Sequence, residues 1–148
     1  TTSAMSFLLG VLAKHPEVQK KAYDEVRNVF GDDPSKPATL AMLNELNYLD
    51  MVIKETLRLY PSVPIFGRKM LENHDIGKFW HRNAVLLVKL NAPKPLPDGT
   101  IFPAGSNVII MPYIMGRDPD YFDDPLEFRP ERFAVETSAE KSNPYRYV

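Results

Sequence analysis

The chain has 148 residues, enough for one core of ordinary domain size, and its 44% hydrophobic and 25% charged composition is that of a globular protein. Its 18 basic and 19 acidic side chains give a net charge of -1 without long runs of one sign, which excludes a partner held mainly by electrostatics, such as nucleic acid. Cysteine is absent, so disulfides, thiolate metal sites and cysteine nucleophiles are excluded within these residues.

The segment Thr2 to Ala13 reads as the end of an apolar helix. Lys14-His15-Pro16-Glu17 resets the pattern, with proline at a first helical position and an acid in the first turn. The helix that follows places Val18, Ala22, Val26, Val29 and Phe30 at helical spacing and stops at Gly31. A loop, Asp32 to Pro37, leads to the strongest helical pattern, in which Leu46, Leu49, Val52, Ile53, Leu57 and Tyr60 form an apolar stripe ending at Pro61. Proline then thickens, and the strand-like runs are short: around Ile65, Thr100 to Phe102, and Val108 to Met111. Helices come first, irregular chain with small strands second, and the fold class expected is mainly α with small β-sheets. No apolar run approaches the roughly eighteen residues of a membrane span, Ala84 to Val88 being far too short.

Glu55 and Arg58 stand three apart on the third helix, so both project from one face. Such a pair is ordinarily a solvated surface contact worth under about 1 kcal/mol. Its context is Lys54-Glu55-Thr56-Leu57-Arg58-Leu59-Tyr60-Pro61, followed some seventy residues on by Phe128-Arg129-Pro130-Glu131-Arg132-Phe133. In these two segments, in this order, the chain resembles the cytochromes P-450: the first is similar to that family's Glu-X-X-Arg helix, the second to its Pro-Glu-Arg-Phe segment. Thr1 to Met5 resembles the tail of the oxygen-activating helix, Phe102-Pro103-Ala104-Gly105 a turn between small strands, and Met115 to Pro119 the approach to the meander. Thr2 to Phe7 and Asn143 to Tyr147 are most similar to family 4, insect members in particular.

The resemblance implies a partial P-450 fold over 1–148, running from the end of the oxygen-activating helix to just before the haem-binding cysteine loop. It implies a buried ion network in which Glu55 accepts from Arg58 and Arg132, a structural group that assembles the haem site. It further implies that Arg68 pairs with a haem propionate and that Ser62, Val63, Pro64, Ile65 and Phe66 line the substrate pocket. The cofactor would be haem, held in the parent protein by a cysteine this chain lacks, so the chain alone is expected to be inactive. The family's oxygen-activating threonine is either Thr1 or a residue just before it. The implied reaction is hydroxylation of small apolar substrates such as fatty acids, other lipids or xenobiotics. Dioxygen and NADPH-derived electrons would be used, delivered by an NADPH-cytochrome reductase or a cytochrome b-type donor, at the endoplasmic reticulum membrane through an amino-terminal anchor. His15, His74 and His81 show no ligand spacing, so no metal site is expected among them.

Family members pass almost directly from a segment like Leu71 to Ile76 to one like Asp98 to Gly105, whereas here the 21 residues of 77–97 intervene. Gly77-Lys78 is encodable as a splice donor and Pro95-Leu96-Pro97-Asp98 as a pyrimidine-rich acceptor, so the segment reads as a short intron translated in frame. The other reading is a genuine surface loop, since closure costs rise slowly with length. A rival of a different class is a non-catalytic helical interaction module that kept the scaffold without the haem ligand.

Overall fold

A computed structural model describes residues 1–33, 35, 37–75, 85–88, 101–102 and 104–134 of the chain. Among the described residues two compact units result: one holds Thr1–Ser62 together with 126–134, the other the described residues of Val63–Pro125.

The first unit is helical. Helix α1 (Thr2–Lys14) runs into α2 (Pro16–Phe30), with His15 serving as the cap of both and Pro16 opening the second. Gly31 ends α2 at φ 75°, a conformation that side chains with a Cβ rarely adopt, and donates its amide to the carbonyl of Arg27 at 2.8 Å. A short helix the apolar pattern does not foretell, α3 (Leu40–Asn44), is capped by Thr39, whose hydroxyl accepts from the Met42 amide at 3.3 Å. Helix α4 (Asn47–Leu59) follows, and Pro130–Phe133 forms a 3-10 turn that packs chiefly on α4. Val11, Val18, Ala22, Val52, Leu59, Pro130 and Phe133 are buried between these elements.

The buried face of α4 differs from the stripe expected. It comprises Val52, Glu55, Thr56, Arg58 and Leu59, whereas Ile53 is 38% exposed. Hydrophobicity alone points to the wrong edge of the helix because two charged side chains occupy the interior, each satisfied by the other. Thr56 joins them there, its hydroxyl donating to the Val52 carbonyl one turn back at 2.7 Å.

The second unit carries two small antiparallel sheets. In one, the order is β1 (Phe66–Lys69), β5 (Asn107–Ile110), β3 (Val85–Val88), with Arg68 opposite Val108. In the other, β2 (His74–Asp75) pairs with β4 (Ile101–Phe102). The strands thus begin one residue after Ile65, at Ile101 and at Asn107, close to the three runs expected, while β2 and β3 are additional. Helix α5 (Pro112–Met115) is one turn within the proline-rich stretch. Of 77–97 only β3 lies among the described residues, and the chain on either side of the segment stays paired, His74 with Phe102 and Asp75 with Ile101. A long connection between paired strands adds little closure cost, which is why the pairing tolerates it. The rest of 77–97 and the segment Asn143 to Tyr147 lie outside the described residues.

Candidate functional site: a buried carboxylate shared by two arginines

Glu55 is fully buried, Arg58 is 2% exposed, and the Arg132 side chain is 8% exposed. Arg58 lies one turn along α4 and donates Nε to Glu55 Oε2 at 2.7 Å and an Nη to Oε1 at 2.8 Å, a bidentate fork. From the 3-10 turn Arg132 donates Nε to Oε1 at 2.9 Å, and the backbone amide of Arg129 donates to the same oxygen at 2.9 Å. Both guanidiniums also reach the Glu127 carbonyl, at 3.0 Å from Arg58 and 3.3 Å from Arg132. One carboxylate therefore joins α4 to a segment more than seventy residues away. A charge with this little access to water persists only because its oxygens are occupied, and removing one partner from such a set costs about 3–5 kcal/mol.

Around this core lies a set of contacts that the sequence reading did not single out. Glu25, on α2, accepts the amides of Tyr48 and Leu49 at 2.7 and 2.9 Å and so caps the start of α4, whose own N-cap residue, Leu46, offers no side-chain acceptor. Glu131 accepts from Lys21 Nζ at 3.0 Å and from the Tyr48 hydroxyl at 3.3 Å. Partial burial works to raise the Glu131 pKa, but the hydrogen bonds from Lys21, its own backbone N–H and Tyr48, with the ammonium charge, outweigh it and hold the carboxyl below its ordinary value. The same hydrogen bond, together with the Glu131 carboxylate charge, raises Lys21 above the usual lysine value. Tyr48 is pushed up, first by burial and then by the Glu131 charge.

The remaining predicted residues are divided between the two units. Thr1 is the N-cap residue of α1, its carbonyl accepting from the Met5 amide at 3.0 Å. Ser62 ends the first stretch of the first unit, and Val63 to Phe66 open the second unit, with Val63 and Ile65 more than half exposed. Arg68 is exposed on β1; it donates to the Gly67 carbonyl at 3.0 Å and lies 4.9 Å from the Phe66 ring centroid. A cavity of about 410 Å³ in the first unit is lined by Val11, His15, Leu59, Tyr60 and Phe128 among others, and by none of 62–66.

The family model for cytochrome P450 matches residues 1–81 and 89–148. The chain belongs to the cytochrome P450 family. It is 43% identical to cytochrome P450 4d1 of Drosophila melanogaster and 42% identical to cytochrome P450 4d10 of Drosophila mettleri, in each case over its whole length. It is likewise 42% identical to cytochrome P450 4V2 of Mus musculus. It spans about a quarter of the length of these curated relatives. The family-4 resemblance and the mainly helical partial P450 fold therefore stand. Cytochromes P450 are monooxygenases whose cofactor is haem. Among the described residues no carboxylate neutralises Arg68, a guanidinium suited to a propionate. By contrast the chain has no cysteine, and among the described residues no three His, Asp or Glu side chains converge on a metal position. Among the same residues no helix is long and apolar enough to cross a membrane.

Proposed function

We propose that this P450 chain builds the structural half of a haem pocket in a monooxygenase that hydroxylates small apolar substrates of the fatty acid, lipid or xenobiotic class. The observation that carries the reading is the fully buried Glu55 shared by Arg58, Arg132 and the Arg129 amide, a set too costly to bury without a structural task. When bound, haem supplies dioxygen activation and insertion of one oxygen atom into the substrate, with electrons from NADPH through a reductase or a cytochrome b-type donor. The protein's own part is to hold α4 and the 3-10 turn as one body through Glu55. Arg68 would hold a propionate by charge-assisted hydrogen bonds, and Ser62 to Phe66 would form the apolar wall beside it, consistent with the exposure of Val63 and Ile65. Attachment to the endoplasmic reticulum membrane belongs to the same proposal.

The test uses the full-length protein. It is expected to bind one haem per chain, to give the red-shifted carbon monoxide complex of thiolate ligation once reduced, and to hydroxylate a fatty acid when supplied with reductase and NADPH. A folded full-length protein that takes up no haem overturns the monooxygenase reading and leaves a non-catalytic helical module. We also propose that 77–97 is an intron translated in frame, on the splice signals its ends can encode; the pairing of β3 with β5, and a family match that omits only 82–88 of the segment, favour a genuine loop. Sequencing the spliced messenger RNA decides between them, since the intron reading requires Ile76 to be followed directly by Asp98.

A further inference from the structure

We propose that Glu131 is a positioning residue, which with Lys21 and Tyr48 forms an outer latch that sets the 3-10 turn so that Arg132 and the Arg129 amide reach Glu55. The turn has only four residues, Pro130–Phe133, and at its two ends the Arg132 amide donates to the Arg129 carbonyl at 3.2 Å and the Ala134 amide to the Glu131 carbonyl at 3.1 Å. So short a piece does not fix its own rotation about its axis. Successive side chains in 3-10 geometry diverge by about a third of a turn, so Glu131 and Arg132 leave in different directions. Each is caught by α4. Arg132 is held by Glu55, and Glu131 by Tyr48, seven residues earlier and hence on the same face of the helix. Rotation of the turn that released Glu131 from Tyr48 would swing Arg132 away from Glu55.

Tyr48 is a fixed anchor for this purpose, because its amide is held by Glu25 of α2 at 2.7 Å. Lys21, also on α2, donates to Glu131 at 3.0 Å and sits 5.5 Å from the Tyr48 ring centroid. The latch thus joins α2, the first turn of α4 and the 3-10 turn. The Lys21 and Glu131 side chains are 61% and 49% exposed, so it is accessible to salt, unlike the Glu55 core.

Amide hydrogen exchange in the intact protein tests this. In Glu131→Gln and in Lys21→Met, exchange at the Arg129 amide should accelerate about fivefold, the scale of an exposed ion pair, while interior amides of α4 stay unchanged. The charge-reversed pair Lys21→Glu with Glu131→Lys should restore protection, and added salt should weaken it in the native chain more than in Glu131→Gln. Unchanged exchange at Arg129, equal acceleration throughout α4, or failure of the reversed pair to rescue would overturn the latch. Because the exchange is read without haem, those results leave the monooxygenase reading untouched.

Discussion

Both oxygens of Glu55 are occupied, Oε2 by Arg58 and Oε1 by Arg58, Arg132 and the Arg129 amide. Glu55→Gln keeps the shape and discards both the charge and one acceptor, turning an N–H₂ donor toward guanidinium donors. Unfolding in urea should show a loss of about 3–5 kcal/mol for this variant, close to that of Glu55→Ala, because the buried arginines are left uncompensated in either case. A loss below 1 kcal/mol would mean that water reaches the network. Glu131 gives a smaller and pH-dependent term. Its carboxyl is held below the ordinary 4.5, so the stabilisation it contributes is present above pH 4.5 and disappears as the pH falls through the lowered folded value. Lys21 works in the opposite sense, its contribution being intact below 10.5 and lost as the pH rises beyond its raised folded value. At such exposure the carboxylate term amounts to under about 1 kcal/mol. Stability measured between pH 5 and 3 should therefore decline less in Glu131→Gln than in the native chain.

At the scale of elements, what the sequence made legible was local and what it hid was contributed from a distance. Pro16 and Gly31 mark the ends of α2 because proline at N1 and a glycine at positive φ are requirements of the chain itself. The Glu55-Arg58 spacing likewise declared a shared face. The cap of α4 had no such signal, since Leu46 cannot accept and the acceptor is Glu25, 23 residues before Tyr48. The exposure of Ile53 was hidden for a related reason, because an apolar stripe does not reveal that a charged pair holds the interior. The short helices α3 and α5 and strand β2 are too brief for any periodicity to show. Glu25 is open to a direct check. Glu25→Ala should lower stability by about 1 kcal/mol and accelerate exchange at the Tyr48 and Leu49 amides, whereas Glu25→Gln, which retains one acceptor, should lose less. Equal effects from the two substitutions would show that charge at the helix start matters more than the hydrogen bonds.

For the whole molecule, the two roles proposed above, for Glu55 and for Arg68, fall in different units. The Glu55 network lies wholly in the first unit and binds α4 to the 3-10 turn, whereas Arg68 lies in the second, on a strand paired through its backbone with β5. If Glu55 acts by assembling structure and Arg68 by binding a propionate, their losses in the full-length protein must differ in kind. Glu55→Ala should reduce soluble, helical protein and haem content together. Arg68→Ala removes an exposed side chain whose described partners are one carbonyl and one ring, so circular dichroism and thermal unfolding of the haem-free protein should stay within about 0.5 kcal/mol of the native chain. Its haem should nonetheless pass faster to a competing haem-binding protein, and Arg68→Lys should recover only part of the retention, since an ammonium keeps the charge without the planar fork. Faster haem loss with an unchanged fold would assign Arg68 to the cofactor. Unchanged haem loss would leave it as a strand-surface arginine, and the propionate would then need another cation.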